Sequence, residues 1–113
     1  MKIDNSLYGG FVVSKNVLRG VPIRYSYREE SERADLNGWT LYSELDDDKY
    51  VRKSENFLIV SAESIYKIAP VMIEIFNAPY GTDLFWKYEE GVHVGFYDLK
   101  KDKDVEIQEI LQN

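Results

Sequence analysis

The chain has a single histidine, His93, and histidine is the side chain most often used as a general base near neutral pH. A catalytic triad would have to use His93, yet it lies in a predicted strand with no obvious nucleophile beside it. The sequence also lacks an H-E-x-x-H zinc motif, a phosphate-binding loop and a G-x-G-x-x-G dinucleotide motif. We therefore predict that the protein is not an enzyme, that it needs no cofactor, and that His93 is a hairpin side chain.

Carboxylates are concentrated in a short segment that contains Glu44, Asp46, Asp47 and Asp48. Hard cations such as calcium prefer several carboxylate oxygens close together, so this segment is a candidate metal site. A calcium-binding loop of the helix-loop-helix type needs alternating acids and a central glycine, which this segment lacks. We predict a solvated acidic loop without a metal ion.

Composition limits the classes of protein to which the chain can belong. Its 113 residues, 44% of them hydrophobic and 30% charged, are typical of one globular domain with a single core. The absence of cysteine favours a reducing compartment, and the net charge of −6 disfavours nucleic acid as a partner. We find no signal-peptide pattern and no apolar run long enough to span a bilayer, which predicts a cytoplasmic protein without a membrane partner.

The first predicted hairpin would hold several of the residues discussed below. Ile23–Glu29 alternates apolar and polar residues, which predicts a half-buried strand with Ile23, Tyr25 and Tyr27 facing inward. Asn37-Gly38 is typical of a tight turn, because both residues tolerate a positive φ angle. Trp39–Ser43 follows as the strand expected to pair with Ile23–Glu29.

Four further segments also have strand character. Gly10–Ser14 is rich in β-branched and aromatic residues and predicts a short buried strand. Asn56–Val60 is apolar after its first residue, which is typical of a central strand that is covered on both faces. Leu84–Tyr88 and Val92–Phe96 are predicted to form a second hairpin.

One broken helix should cover this sheet, from Ala62 to Asn77. Ser61 is a suitable N-cap, and Pro70 should interrupt the helix and begin its second piece, because proline lacks an amide hydrogen. We predict an α+β fold, a mainly antiparallel sheet of five or six strands packed against one broken helix, in a single domain over 1–113. Residues 98–113 would be a charged C-terminal extension. The expected core residues are Val12, Trp39, Ile59, Ile65, Ile68, Met72 and Phe76.

Nine tyrosines are distributed over nearly every predicted element. Tyrosine is favoured at protein interfaces because it buries a large area at low entropic cost and keeps a polar tip. It is equally common at the rim of a small core. Both interpretations remain open from the sequence alone.

Residues 10–86 resemble a bacterial family of immunity proteins from polymorphic toxin systems, the thirty-third immunity class, formerly catalogued as a domain of unknown function. The resemblance rests on the order and spacing of short motifs. These are Gly10-Phe11-Val12-Val13-Ser14, Tyr27-Arg28-Glu29, Asp35-Leu36-Asn37-Gly38-Trp39, the acidic segment Glu44–Tyr50, and Pro79-Tyr80-Gly81-Thr82.

The resemblance implies that the protein neutralises a toxin by stoichiometric binding. An acidic, tyrosine-rich surface suits a protein partner such as a basic toxin domain, because charge accelerates encounter and aromatic rings supply contact area. The oligomeric state is not predicted. The predicted partner-binding residues are Tyr42, Glu44, Asp46, Asp47, Asp48 and Tyr50.

A second set of residues belongs to the family motifs and is either structural or part of a binding surface. In the structural interpretation, Arg28 pairs with Asp35 and Trp39 packs beneath them. Two other functions stay open: a housekeeping domain that binds a ligand or regulator, and a hydrolase whose carboxylates the sequence does not pair. The motif residues are Tyr27, Arg28, Glu29, Asp35, Gly38, Trp39, Pro79 and Gly81.

Overall fold

The structure is a computed structural model that describes residues 3–112, and it contains a seven-stranded mixed sheet with short helices. The strands are β1 (Gly10–Ser14), β2 (Ile23–Arg28), β3 (Leu36–Ser43), β4 (Phe57–Val60), β5 (Asp83–Glu89), β6 (Val92–Asp98) and β7 (Lys103–Val105). The helices are α1 (Lys15–Leu18), α2 (Asp48–Val51), α3 (Ala62–Ile68), α4 (Pro70–Glu74) and α5 (Ile107–Gln112), with 3₁₀ turns at Asn5–Leu7 and Ser54–Asn56.

The strands lie in the order β4-β1-β3-β2-β5-β6-β7. Both predicted hairpins are confirmed, as β2–β3 and β5–β6, and β1 pairs with β3 in parallel. The predicted count of five or six strands is too low, because the charged segment after Tyr97 supplies β7. Val105 is buried there opposite Phe96, and this apolar contact explains why a charged segment joins the sheet.

The predicted helix break is confirmed. Ser61 accepts a hydrogen bond from the Ser64 amide at the start of α3, and Pro70 opens α4. The expectation of one broken helix is incomplete, since α1, α2 and α5 are separate helices. Helices α1, α3, α4 and α5 cover one face of the sheet, where Val17, Ile65, Met72 and Ile110 join the core.

The core lies between those helices and the sheet. Trp39, Ile65 and Met72 are fully buried as predicted, and Phe76 packs against the core. The prediction is wrong for Ile59, which is 49% exposed, because β4 is an edge strand rather than a central one. It is also wrong for Ile68, 42% exposed, and Val12 is half-buried on the opposite face of the sheet.

A bulge in β2 sets the direction of its side chains. The pairing with β3 shifts register between Ile23 and Tyr25, so Ile23 is buried toward the helices while Tyr25 and Tyr27 face the other side. The inward orientation predicted for both tyrosines is therefore wrong, because a bulge inserts one residue and inverts the alternation. Arg28 returns to the helix side, opposite Trp39.

Gly38 lies inside β3 rather than in the predicted turn, which is formed instead by residues 29–35. Its φ angle is +90°, and a Cβ atom placed there would lie 2.1 Å from the carbonyl oxygen of Glu29. The Glu29 amide donates to the Gly38 carbonyl oxygen at 3.0 Å. Glycine is needed here because the two backbones approach too closely for any side chain.

Candidate functional site

Three tyrosine rings form a cluster on the sheet face that points away from the helix layer. The rings of Tyr25, Tyr27 and Tyr42 have centroids 5.5–5.7 Å apart, and the hydroxyls of Tyr27 and Tyr42 lie 3.2 Å from each other. The Tyr25 hydroxyl donates to Asp83. We call this surface the open face. Its side chains are Val12, Tyr25, Tyr27, Thr40, Tyr42, Phe57, Ile59, Asp83 and Phe85.

Two tyrosines of the cluster, Tyr25 and Tyr42, have pKa values that are raised above the ordinary value of 10.0. Burial raises the pKa of Tyr25 well above its usual value, with further contributions from the hydrogen bond to Asp83 and its charge. Burial also raises the pKa of Tyr42, followed by its hydrogen bond to Tyr27. These two hydroxyls are therefore protonated at physiological pH, where Tyr25 donates to Asp83 and Tyr42 shares a hydrogen bond with Tyr27.

An apolar groove of about 390 Å³ lies between the tyrosine cluster and β4. Val12, Thr40 and Ile59 form its floor, and Tyr42 and Phe57 meet with ring centroids 5.6 Å apart. Ile59 is about half exposed at this edge. Exposed apolar area beside tyrosines is typical of a surface that contacts another macromolecule.

A more polar depression of about 360 Å³ lies on the other side of the cluster. Tyr25, Tyr27 and Tyr42 share its lining with charged residues of both signs. The open face therefore changes from apolar near β4 to charged near β5. The charged residues are Arg28, Glu29, Asp83 and Lys100.

The four carboxylates of the acidic segment have different surroundings. The Asp46 carboxylate accepts a hydrogen bond from the side-chain amide of Asn16 at 2.9 Å. It also accepts from the backbone amide and the hydroxyl of Ser43, both at 2.7 Å. Burial alone would raise the pKa of Asp46, but the hydrogen bonds from Ser14, Ser43 and Asn16 outweigh it, and the pKa is lowered. Asp46 therefore holds the turn together and is not a free loop carboxylate.

The other three carboxylates range from capped to exposed. Asp47 caps α2 by accepting from the Tyr50 amide at 2.8 Å. Glu44 forms an ion pair with Arg24 at 2.9 Å, and Asp48 is exposed in the first turn of α2. The structure thus places two of the four predicted carboxylates, Glu44 and Asp48, where they can act on solvent and on an approaching charge.

Aromatic contacts connect the predicted tyrosines to residues that sequence reasoning missed. Phe57 lies between Tyr42 and Tyr50, whose ring centroids are 5.6 Å and 6.3 Å away. The guanidinium of Arg24 lies 5.2 Å from the ring centroid of Phe85. Phe85 lies opposite Tyr25 in the pairing of β2 with β5. The alternation in β2 indicates this side of the sheet only once the bulge between Ile23 and Tyr25 is known, and no residue type in the sequence marks that bulge.

The family-motif residues mostly contact the chain itself. The predicted pairing of Arg28 with Asp35 is wrong. The Asp35 carboxylate pairs instead with the guanidinium of Arg33, at 2.6 Å between Oδ2 and Nη2. Arg28 donates instead to the carbonyl oxygens of Asn37, Phe76 and Ala78, and burial lowers its pKa.

Three other motif positions also make backbone or buried contacts. The Trp39 indole nitrogen donates to the Phe76 carbonyl at 3.0 Å. The Gly81 amide donates to the Arg28 carbonyl, and the Thr82 amide to that of Pro79. Of the motif residues, Tyr27 reaches the open face with its ring.

His93 lies in the second hairpin, as predicted. Its ring packs 4.9 Å from Trp86 and 4.7 Å from Phe96, measured between centroids. Burial lowers its pKa, and a backbone hydrogen bond with Gly95 opposes that shift. Within residues 3–112, His93 Nε2 is buried and makes no hydrogen bond.

Among residues 3–112, no group of three or more His, Cys, Asp or Glu side chains is arranged to hold a metal ion. None of the helices in the same range has the length and apolar character needed to cross a bilayer.

A protein-family model described as "Immunity protein Imm33 domain" matches residues 11–97. The match runs from β1 through nearly all of β6, so it includes the whole open face. The chain belongs to the Imm33 immunity protein family, which confirms the family resemblance and extends it beyond Trp86 to Tyr97. No curated protein and no solved structure matches the chain at a significant level.

Proposed function

We propose that this chain neutralises a toxin by binding it stoichiometrically through the open face. Membership of the Imm33 family carries the proposal, since an immunity domain implies a protein partner and immunity proteins are generally not enzymes. The open face offers a contact surface, because it combines three clustered tyrosine rings with an apolar groove beside them.

The contact surface is centred on Tyr42. Its ring touches Tyr25, Tyr27 and Phe57, so it joins the polar and apolar parts of the open face. A partially exposed ring held by neighbours loses little conformational freedom when it is covered, which favours it as an anchor. Tyr50 extends the aromatic surface past Phe57 toward the acidic segment.

Negative surface charge would act on the encounter with the partner. Glu44 and Asp48 are exposed and add to the negative field of a chain whose net charge is −6. A negative surface accelerates encounter with a basic partner more than it strengthens the final complex. Asp46 and Asp47 serve this surface indirectly, because they hold the turn and cap α2.

The experiment uses the product of the gene adjacent to this one, carrying a toxin-like domain in an inactivated form. Calorimetric titration should give one immunity domain per toxin domain, and Tyr42→Ala should weaken binding by about tenfold or more. Tyr66→Ala is the matched control, since Tyr66 is a half-buried tyrosine on the helix side. Unchanged affinity for Tyr42→Ala would exclude the open face, and no binding to the neighbouring product would exclude neutralisation of that toxin.

One observation favours the housekeeping alternative. An apolar depression of about 540 Å³ opens on the helix side, with Val17, Ile23, Pro70, Val71 and Trp86 in its lining. A pocket of this size and character suits a small apolar ligand. In that case medium-chain fatty acids should raise the melting temperature of the isolated chain in proportion to their concentration. No shift with decanoate at millimolar concentration would remove this candidate.

A further inference from the structure

Aromatic rings form a row on the open face that crosses the strands. Tyr42 lies opposite Tyr25 in the pairing of β3 with β2, and Tyr25 lies opposite Phe85 in the pairing of β2 with β5. Phe85 in turn lies opposite Tyr97 of β6. Opposite residues of adjacent strands share a face, so this aromatic row extends the open face to β6. The solvated face of antiparallel strands is normally polar, and an aromatic row there indicates contact with another molecule.

Asp83 places a carboxylate beside the aromatic row. It lies opposite Tyr27 and precedes Phe85 by two residues on β5, so it shares their face. Its Oδ1 atom accepts a hydrogen bond from the Tyr25 hydroxyl, and no other hydrogen bond or ion pair reaches the carboxylate from residues 3–112. Asp83 is also half-buried. A partner that covered this carboxylate without supplying an opposite charge would lose free energy.

The cations that line the polar depression with Asp83 do not neutralise it. The guanidinium of Arg28 donates to three backbone carbonyl oxygens instead. Lys100 is exposed and lies beside Gly81, and within the described residues it forms no ion pair with Asp83 or with Glu29. The depression therefore holds two carboxylates without a paired cation.

We propose that an arginine of the toxin enters the polar depression and pairs with Asp83. A planar guanidinium can donate to a carboxylate and stack on an aromatic ring at the same time, which suits it better than an ammonium group. The chain itself contains this combination at Arg24. Its guanidinium lies 5.2 Å from the centroid of the Phe85 ring, and its Nη2 atom lies 2.9 Å from Oε2 of Glu44. This inference rests on the proposed function and makes Asp83 the residue that selects a basic partner.

An ion pair at Asp83 acts on a different step of binding from the exposed charges of Glu44 and Asp48. Charges at the rim of an interface change the association rate, whereas a pair that is desolvated in the complex changes the dissociation rate. Salt screens exposed charges and acts much less on a covered pair. Asp83 should therefore slow dissociation of the toxin at low and at high salt.

The first test uses the inactivated toxin-like product of the adjacent gene. Asp83→Asn removes the charge and keeps an acceptor for the Tyr25 hydroxyl. It should weaken binding about thirtyfold or more, through faster dissociation, and the loss should persist at about 0.5 M salt. Glu90→Gln is the matched control, because it removes one charge at the exposed β5–β6 turn. A cooperative thermal transition verifies that each variant is folded.

Two outcomes of this test would overturn the inference and leave the proposed function intact. One is unchanged affinity for Asp83→Asn beside a clear loss for Tyr42→Ala. The other is a loss with Lys100→Gln as large as that with Asp83→Asn, because Lys100 and not a toxin arginine would then be the partner of Asp83. We expect Lys100→Gln not to weaken binding, since it removes a competing cation.

The second test needs no toxin. The amide of N-acetyl arginine, at about 1 to 50 mM, should shift the ring resonances of Tyr25 and Tyr27 in the nuclear magnetic resonance spectrum of the full chain, in a saturable manner. The corresponding citrulline amide is the control, because it has a similar shape without the charge. Equal shifts with both probes, or arginine shifts that survive Asp83→Asn, would overturn the inference even if the toxin binds. A chain that binds the arginine probe but not the neighbouring product would contradict the proposed function and still assign a cationic group to this depression.

Discussion

Arg28 holds Phe76 in two ways at once: its guanidinium lies 5.0 Å from the centroid of the Phe76 ring and donates to the Phe76 carbonyl oxygen at 2.9 Å. The same group donates to the carbonyl oxygens of Ala78 at 2.8 Å and Asn37 at 3.0 Å. The carbonyl groups of Phe76 and Ala78 lie just after α4, and that of Asn37 lies in β3. One side chain on β2 therefore joins the end of the helix layer to the sheet.

Arg28→Lys should destabilise the fold although the charge is kept. A lysine ammonium cannot reproduce the planar fork that reaches three carbonyl oxygens, and hydrogen bonds from charged groups are the costly ones to lose. We expect a loss of roughly 2–4 kcal/mol in the free energy of unfolding in urea. Arg33→Lys changes an exposed pair with Asp35 and should cost less than about 0.5 kcal/mol. Equal effects of the two variants would refute this role for Arg28.

Gly38→Ala should be among the most damaging glycine substitutions. A Cβ atom at Gly38 would overlap the Glu29 carbonyl oxygen, so the β2–β3 pairing must separate locally. We expect a loss of about 2–4 kcal/mol, measured by chemical unfolding. Gly91 also has a positive φ angle, but no other atom of residues 3–112 lies within 4 Å of its Cβ position apart from its chain neighbours, so Gly91→Ala should cost only about 1–2 kcal/mol. A larger effect at Gly91 would contradict the steric argument.

Asp46→Asn should lower stability in a manner that depends on pH. The folded-state pKa of Asp46 lies below its ordinary value of 3.8, so its charge contributes stability above that pH, and the contribution is lost as the pH falls through the folded-state pKa. At pH 7 we expect a loss of about 1–2 kcal/mol, and wild type and variant should converge under acid. Thermal melts between neutral pH and the acid limit measure this. Asp48→Asn is the control, because Asp48 is exposed, and its effect at pH 7 should be smaller than that of Asp46→Asn.

The tyrosine cluster should resist ionisation in alkali. Burial raises the pKa values of Tyr25 and Tyr42 above the ordinary value of 10.0, so the folded state favours the protonated phenols. Their contribution to stability is complete below that pH and is lost as the pH rises toward the folded-state values. An absorbance titration should show phenols that ionise only with unfolding. The double variant Tyr25→Phe, Tyr42→Phe should show a smaller late fraction, because burial also raises the pKa of Tyr88 and the hydrogen bond with Asp102 raises that of Tyr97. An unchanged late fraction would assign it to other tyrosines.

Glu44→Gln combined with Asp48→Asn should slow association with the toxin and flatten its salt dependence. Both side chains are exposed, and surface charge acts mainly on the rate of encounter. We expect a severalfold lower association rate at low salt, measured by stopped-flow, with little change in the dissociation rate. Glu89→Gln with Glu90→Gln removes the same number of charges at the distant β5–β6 turn. An equal effect of that control would assign the result to net charge alone.

Local signals in the sequence predicted the parts of the fold that depend on neighbouring residues. Ser61 and Pro70 mark the start and the break of the helix through their own backbone chemistry. The strand patterns of residues 84–88 and 92–96 predicted the hairpin of β5 and β6. The number of tyrosines is also visible in the sequence, so they were identified as candidates for an interface. Their arrangement in space was not predicted.

The features that the sequence did not predict depend on partners distant along the chain. The apolar run of β4 has the composition of a central strand, and only the full sheet order reveals it as an edge. The bulge near Arg24 determines which side of the sheet carries Tyr25 and Tyr27, yet its residues are ordinary strand residues. Asp46 was counted with its acidic neighbours because its partner Asn16 lies in another element.

The parallel pairing of β1 with β3 has a consequence for the order in which the sheet forms. Strand β1 leaves the ribosome first, yet both strands beside it, β3 and β4, are made later. The β2–β3 and β5–β6 hairpins close over short loops, whereas β1 must wait for long loops to close, which slows its docking. We expect the amide hydrogens of β1 to become protected from exchange late in refolding, after those of both hairpins. A nascent chain that ends before β4 would therefore leave Phe11 and Val13 without the full set of neighbours that buries them.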